Sequence, residues 1–198
     1  MLKNAEYFSE NKNFNIVDVL LLDHKYLKEC IKTLKSEGAI KAKKLKVGRC
    51  FLDAVKKHSN AEKKAVYTAI KPYKDLHHAV LEGECEHGII DSKVKMLIPK
   101  LTHARVLSEE LEVELKVVAE ILEHHIREEE KEMFPKMRKD LDKGLQNEMG
   151  FQFMKLRDFS TKDLEHYPKL QVEVPTLKKM SDRVSTSFIT KVQEHARV

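Results

Sequence analysis

Residues 111–135 read LEVELKVVAEILEHHIREEEKEMFP, and this stretch decides the fold. Its apolar positions Leu111, Leu115, Val118 and Leu122 recur at steps of three and four, the period of an amphipathic helix and not of a strand. His125 comes next after Leu122, and Glu129 follows four residues on, so a helix sets an imidazole and a carboxylate side by side on one face. His124 lies on a neighbouring stripe with Val117 and Ile121, and the stripes alone leave both histidines open as the inward-facing one. Ser108 with Glu109 and Glu110 marks the start of this helix: a short side-chain acceptor followed by two acids suits the exposed N–H groups there. Pro135 marks a kink or a stop, with a helical piece expected to reach Leu141.

Three more segments upstream repeat the pattern. The first spans about 15–35, with Val17, Leu20, Leu21, Leu27, Ile31 and Leu34 apolar, and ends at Glu37-Gly38. The second spans about 47–70, with Phe51, Ala54, Val55, Ala65 and Ala69 on one face and Pro72 as its stop. The third spans about 74–98, carries Val80, Ile90, Val94 and Leu97, and is expected to end at Pro99. No alternation of the β type intervenes. Short connections favour antiparallel neighbours, so the fold class is all-α, an up-down-up-down four-helix bundle. Residues 1–142 are assigned to this bundle. Residues 143–198 are a C-terminal helical extension of unassigned role, interrupted by Pro168 and Pro175, with a final helix expected over 176–195.

Each of the four helices carries a histidine on its apolar side near mid-length: His24, His58, His87 and His125. Mid-helix positions of an antiparallel bundle share one depth, so four imidazoles converge on one layer of the core. His58 has Glu62 four residues on, as His125 has Glu129. A carboxylate has two oxygens and can bridge two ions, while imidazoles supply terminal ligands of the kind iron accepts. Without a cation, such a layer would be a cluster of buried polar groups with few partners, each unpaired one costing about 1–3 kcal/mol. His77, His78, His103, His166 and His195 lie off this layer and read as surface residues.

Composition sets the outer bounds. The chain has 198 residues, 41% hydrophobic and 35% charged, with only six Gly and five Pro, which suits one helix-rich core. No apolar run approaches the ~20 residues of a membrane span, and residues 1–14 lack the apolar segment of a secretory leader. Cys30, Cys50 and Cys85 form no CxxC pair and no disulfide framework, so a cytoplasmic location is expected. The net charge of +5 is a mild excess. The densest basic run, Lys41, Lys43, Lys44, Lys46 and Arg49, has no interleaved aromatics and reads as a solvated inter-helix loop, so neither nucleic acid nor membrane is expected as a partner.

The segments LLLDHKYL (20–27), HSNAEKKAVY (58–67), EGECEHGII (82–90) and HHIREEEKEMFP (124–135) together resemble the hemerythrin-like, or HHE cation-binding, family. Tyr67 stands nine residues after His58 and Phe134 nine after His125, a parallel that in the resemblance selects His125 over His124. The resemblance implies metal ligands His24, His58, Glu62, His87, His125 and Glu129 around two iron ions, an oxo- or hydroxo-bridged di-iron centre. The oxygen carriers of that family place a further histidine on the third helix, where this chain has Gly83 before and Asp91 after His87. Its four His and two Glu look more like a bacterial-type branch. The function so implied is binding of, or reaction with, dioxygen, peroxide or nitric oxide, possible enzymatic turnover included. The alternative is an iron storage, donation or sensing protein without turnover.

Overall fold

The computed structural model describes residues 15–158, which are helical with short connections and contain no strand. Helix α1 is Ile16–Lys35. Helix α2 is α-helical over Lys41–Glu62, passes through a π turn at Lys63–Tyr67 and returns to α over Thr68–Ile70. Helix α3 is Lys74–His103. Helix α4 is α-helical over Glu109–Glu128, passes through a second π turn at Glu129–Met133 and continues over Phe134–Asp140. Helix α5 is Lys143–Arg157. The final helix expected over 176–195 lies outside the described residues.

Local chemistry explains three of the five helix starts. The Asn15 side chain accepts from the Val17 N–H at 2.9 Å and starts α1. Ser108 Oγ accepts from the Leu111 N–H at 3.3 Å and starts α4, and Asp142 Oδ1 accepts from Leu145 at 2.9 Å and starts α5. These caps satisfy N–H groups that have no partner inside the helix.

Two boundaries differ from the sequence reading. The basic run at 41–49 is not a loop but the first two turns of α2. Lysine is a good helix former, and Lys44 lies buried with its ammonium 2.5 Å from Glu112 of α4, an anchor that charge density alone does not disclose. Helix α3 does not stop at Pro99 but continues to His103. Proline removes one backbone donor there, yet Leu97 and Leu101 stay buried on either side, and Arg49 donates to the carbonyls of Leu101 and Ala104 at 3.0 and 2.6 Å. Packing and an external donor thus hold the last turn together. Pro135, expected as a kink or stop, falls in the first turn of the Phe134–Asp140 segment, where its missing N–H is tolerated.

Helix α1 packs on α2 and α4, α3 packs on α2 and α4, and α5 lies against α1 and α2. The apolar core is in two parts. One contains Leu20, Ala65, Ile70, Leu76, Val80 and Met133, and α5 adds Met149 and Phe153 to it. The other contains Leu27, Ile31, Phe51, Val55, Ile90, Val94, Leu122 and Ile126. Between them every one of the four long helices carries a polar residue that is buried. Extension residues 143–157 are therefore part of the packed core. Phe153 is fully buried, and Phe153→Ala is expected to lower stability by about 3–5 kcal/mol, read from the urea denaturation midpoint at unchanged slope.

Candidate metal centre

The layer between the two apolar clusters holds Asp23 and His24 on α1, His58 and Glu62 on α2, His87 on α3, and His125 and Glu129 on α4, all at 5% exposure or less. The six residues singled out from the sequence are thus brought together. Their donor atoms fall into two overlapping groups, His58, Glu62, His87 and His125 on one side, and His24, His58, Glu62 and Glu129 on the other. His124 sits outside with half its side chain exposed, its Nε2 3.0 Å from Glu128. His77, His78 and His103 are exposed.

The inner nitrogens converge on the two carboxylates. Nε2 of His58 and of His87 lie 3.3 and 3.2 Å from Glu62 Oε2. Glu129 faces two ways: Oε2 is 3.4 Å from His24 Nε2, and Oε1 is 3.4 Å from His125 Nε2. His87 Nε2 and His125 Nε2 are 2.8 Å apart. Two donors ~2.1 Å from a shared cation and at right angles would lie ~3 Å from each other, so these separations are compatible with ligands of a common ion.

The outer nitrogens fix the rings. His58 Nδ1 donates to Asp23 Oδ2 at 3.0 Å, His125 Nδ1 to Glu86 Oε2 at 2.6 Å, and His24 Nδ1 to Glu130 Oε1 at 3.1 Å. A neutral imidazole that donates through Nδ1 presents a lone pair at Nε2. On His24 and His58 that lone pair points at carboxylate oxygens, which are also acceptors. His24 Nε2, His58 Nε2, both oxygens of Glu62 and Glu129 Oε2 have no hydrogen-bond partner, although all are buried. Acceptors facing acceptors in a dry core need positive charge between them, a proton or a metal ion, and the donor set of imidazoles and carboxylates fits a bound metal.

The electrostatics agree. Asp23, Glu62 and Glu129 are buried carboxylates, and the one fully buried guanidinium among the described residues, Arg157, pairs with Asp23. Burial alone would lower every imidazole, yet Glu62 and Asp23 outweigh it on His58 and push it up to about 10. Burial is likewise outweighed at His24 by Glu129 and Glu130, and at His125 by Glu129, Glu62 and Glu86. Only on His87 does burial win and hold the ring below its usual value. Burial would raise Asp23, but Arg157 and His58 hold it at about 2. The layer is a field that draws positive charge.

The π turns explain the aromatic spacing. At ~100° per residue, nine steps along an uninterrupted helix end about 180° from the starting histidine. Each π turn takes up about one extra residue and returns the aromatic toward the histidine's side. Both π turns begin at or immediately after the glutamate of the HxxxE pair. Phe134 then stacks on His24, ring centroids 5.4 Å apart at 18°. Tyr67 lies 5.4 Å from the His87 ring and its hydroxyl donates to Glu129 Oε1 at 2.8 Å. Burial and then Glu129 hold the Tyr67 phenol well above its ordinary range, so it stays a donor. Gly83, one turn before His87, makes room for it: a Cβ there would meet the Tyr67 hydroxyl at 2.4 Å and its ring carbon at 2.8 Å.

Sequence reasoning passed over Asp23, Tyr67, Glu86, Glu130 and Arg157 as functional groups. For three of them a signal existed. Asp23 and Glu86 directly precede a central histidine, and Glu130 directly follows a central glutamate, yet each serves the histidine of a neighbouring helix. The residue after Glu62 that corresponds to Glu130 is Lys63, which pairs outward with Asp91 at 2.5 Å, and His87 Nδ1 has no hydrogen-bond partner.

Fold and site together define an all-helical bundle protein with a cation-binding layer of histidines and glutamates across its middle. The hemerythrin HHE cation binding domain model matches residues 15–137, and the chain belongs to that family. No curated protein and no solved structure matches the chain. No helix among the described residues is long and apolar enough to cross a membrane.

Gly83→Ala is expected to destabilise the protein by about 1–3 kcal/mol, because the buried Tyr67 ring has nowhere to move. Tyr67→Phe removes only the hydrogen bond to Glu129 and is expected to cost about 1.5–3 kcal/mol in the same denaturation assay.

Proposed function

We propose that the chain is a non-haem di-iron protein that binds or reacts with a small oxidant, dioxygen, peroxide or nitric oxide, through a centre held by His24, His58, Glu62, His87, His125 and Glu129. The observation that carries this reading is the set of five partnerless inner atoms on His24, His58, Glu62 and Glu129, with both imidazoles already tied down at their outer nitrogens. When bound, two ferrous ions supply one electron each and positions at which a small oxidant binds.

The chain's own residues do the rest. Glu129, with one oxygen toward His24 and the other toward His125, and Glu62, common to both donor groups, would be the carboxylates that hold the ions. Asp23, Glu86 and Glu130 keep three imidazoles turned with Nε2 inward. The apolar layers on either side keep bulk water away from the centre. Tyr67 donates to Glu129 and limits the space beside His87. In place of a fifth histidine, Gly83 leaves that side to the phenol, which supports the four-His, two-Glu branch and leaves more coordination positions to solvent and oxidant. The bundle is read as up-down-up-down: α1 and α3 pass from the first apolar cluster to the second, and α2 and α4 pass from the second to the first.

Protein loaded anaerobically with ferrous iron and desalted is expected to retain about two irons per chain. His125→Ala is expected to lose iron while His124→Ala keeps it; the reverse result would place the ligand one residue earlier. Glu62→Ala and Glu129→Ala are each expected to reduce the count, and unchanged iron in both variants would remove the bridging role. Exposing the reduced protein separately to dioxygen, peroxide and nitric oxide, with the optical spectrum recorded, identifies the oxidant. No change with any of them would leave storage or sensing.

A further inference from the structure

The family match ends at residue 137, yet helix α5, beyond it, reaches the centre twice. Arg157, the last residue of α5, is fully buried, and its Nε donates to Asp23 Oδ2 at 2.7 Å. That same oxygen accepts from His58 Nδ1 at 3.0 Å. One turn earlier on α5, Phe153 presses edge-on against the His58 ring, centroids 5.9 Å apart at 76°. The imidazole is therefore held by α5 at its ring and, through Asp23, at its outer nitrogen.

We infer that α5 is a positioning arm of the metal centre, in which Arg157 acts through Asp23 to fix the His58 imidazole with Nε2 toward the cations. A buried ion pair gives little net stability over apolar side chains of the same volume, but it has direction. Asp23 accepts the guanidinium and the imidazole on one oxygen, so the position of that oxygen is set by Arg157. His58 belongs to both groups of candidate ligands, so an error in its orientation reaches both cation positions. Carboxylates that orient metal-bound histidines typically contribute 10–100-fold to metal affinity. Here the orienting carboxylate is itself oriented by a residue outside the family-matched stretch.

The inference rests on the di-iron reading, and one experiment separates the two. The full-length chain, loaded with ferrous iron, is challenged anaerobically with an excess of a ferrous chelator, and release is followed by absorbance. The thermal midpoint of the metal-free protein is measured alongside. Arg157→Met is expected to release iron at least about 10-fold faster, with a larger fall in the midpoint of the loaded protein than of the metal-free protein. Asp23→Asn is expected to do the same, and the double variant to release iron no faster than the worse single one, because both act on one imidazole. Should Arg157→Met not fold, the double variant, which removes both charges of the Asp23–Arg157 pair, is compared with the parent, and faster release at a near-parental metal-free midpoint supports the arm. Release at the parental rate overturns the inference, as does an equal fall in both midpoints or a multiplicative effect in the double variant. If the parental chain itself retains no iron, the di-iron reading fails first.

Discussion

Everything in this molecule is arranged around a cost: ionisable groups from four helices meet at one level of a dry core. Three imidazoles donate through their outer nitrogens to Asp23, Glu86 and Glu130, and the inner nitrogens and carboxylate oxygens that remain need added positive charge between them. The constraint is met by making that interior attractive to cations and by separating it from water with an apolar cluster on each side. The fold is thus less a container for the centre than the means of holding mutually repelling acceptors in place.

The π turns belong to the same constraint. A regular helix carrying an HxxxE pair inward turns its next aromatic outward. Widening one turn at or immediately after each glutamate brings Phe134 onto His24 and Tyr67 onto His87 and Glu129. The two halves of the bundle use this device alike but finish it differently: phenylalanine closes one side with carbon, tyrosine closes the other with a donor. Lys63 in place of a fourth outer carboxylate adds to the inequality and leaves His87 as the one ring of the four whose Nδ1 has no hydrogen-bond partner.

How much of this is legible in the residues follows from what repeats and what does not. Four apolar stripes and six polar positions on them are periodic, and helical period is the strongest signal a sequence carries, so the helices and the converging set could be read. Lys44 could not, because nothing local says that its ammonium meets Glu112 on another helix. Pro99 was misleading, since proline propensity was overridden by Leu97, Leu101 and the donors of Arg49. The orientation of Tyr67 depends on an extra residue in a turn, which periodicity analysis treats as noise. Arg157 continues the stripe of Leu145, Met149 and Phe153, but beside Lys155 in a last turn it reads as a solvated cation, and only the packing of α5 on α1 and α2 brings it to Asp23.

The central claim is that cations sit between Glu62 and Glu129, ringed by the four inner imidazole nitrogens. Anomalous X-ray diffraction at the iron edge, from crystals of anaerobically reconstituted protein, tests it most directly. The account predicts two strong peaks inside the bundle, one on the His24 side of the Glu129 carboxylate and one on the His125 side. A map with no peak there, or with iron only at the exposed Glu86, His124 and Glu128 group, would contradict it.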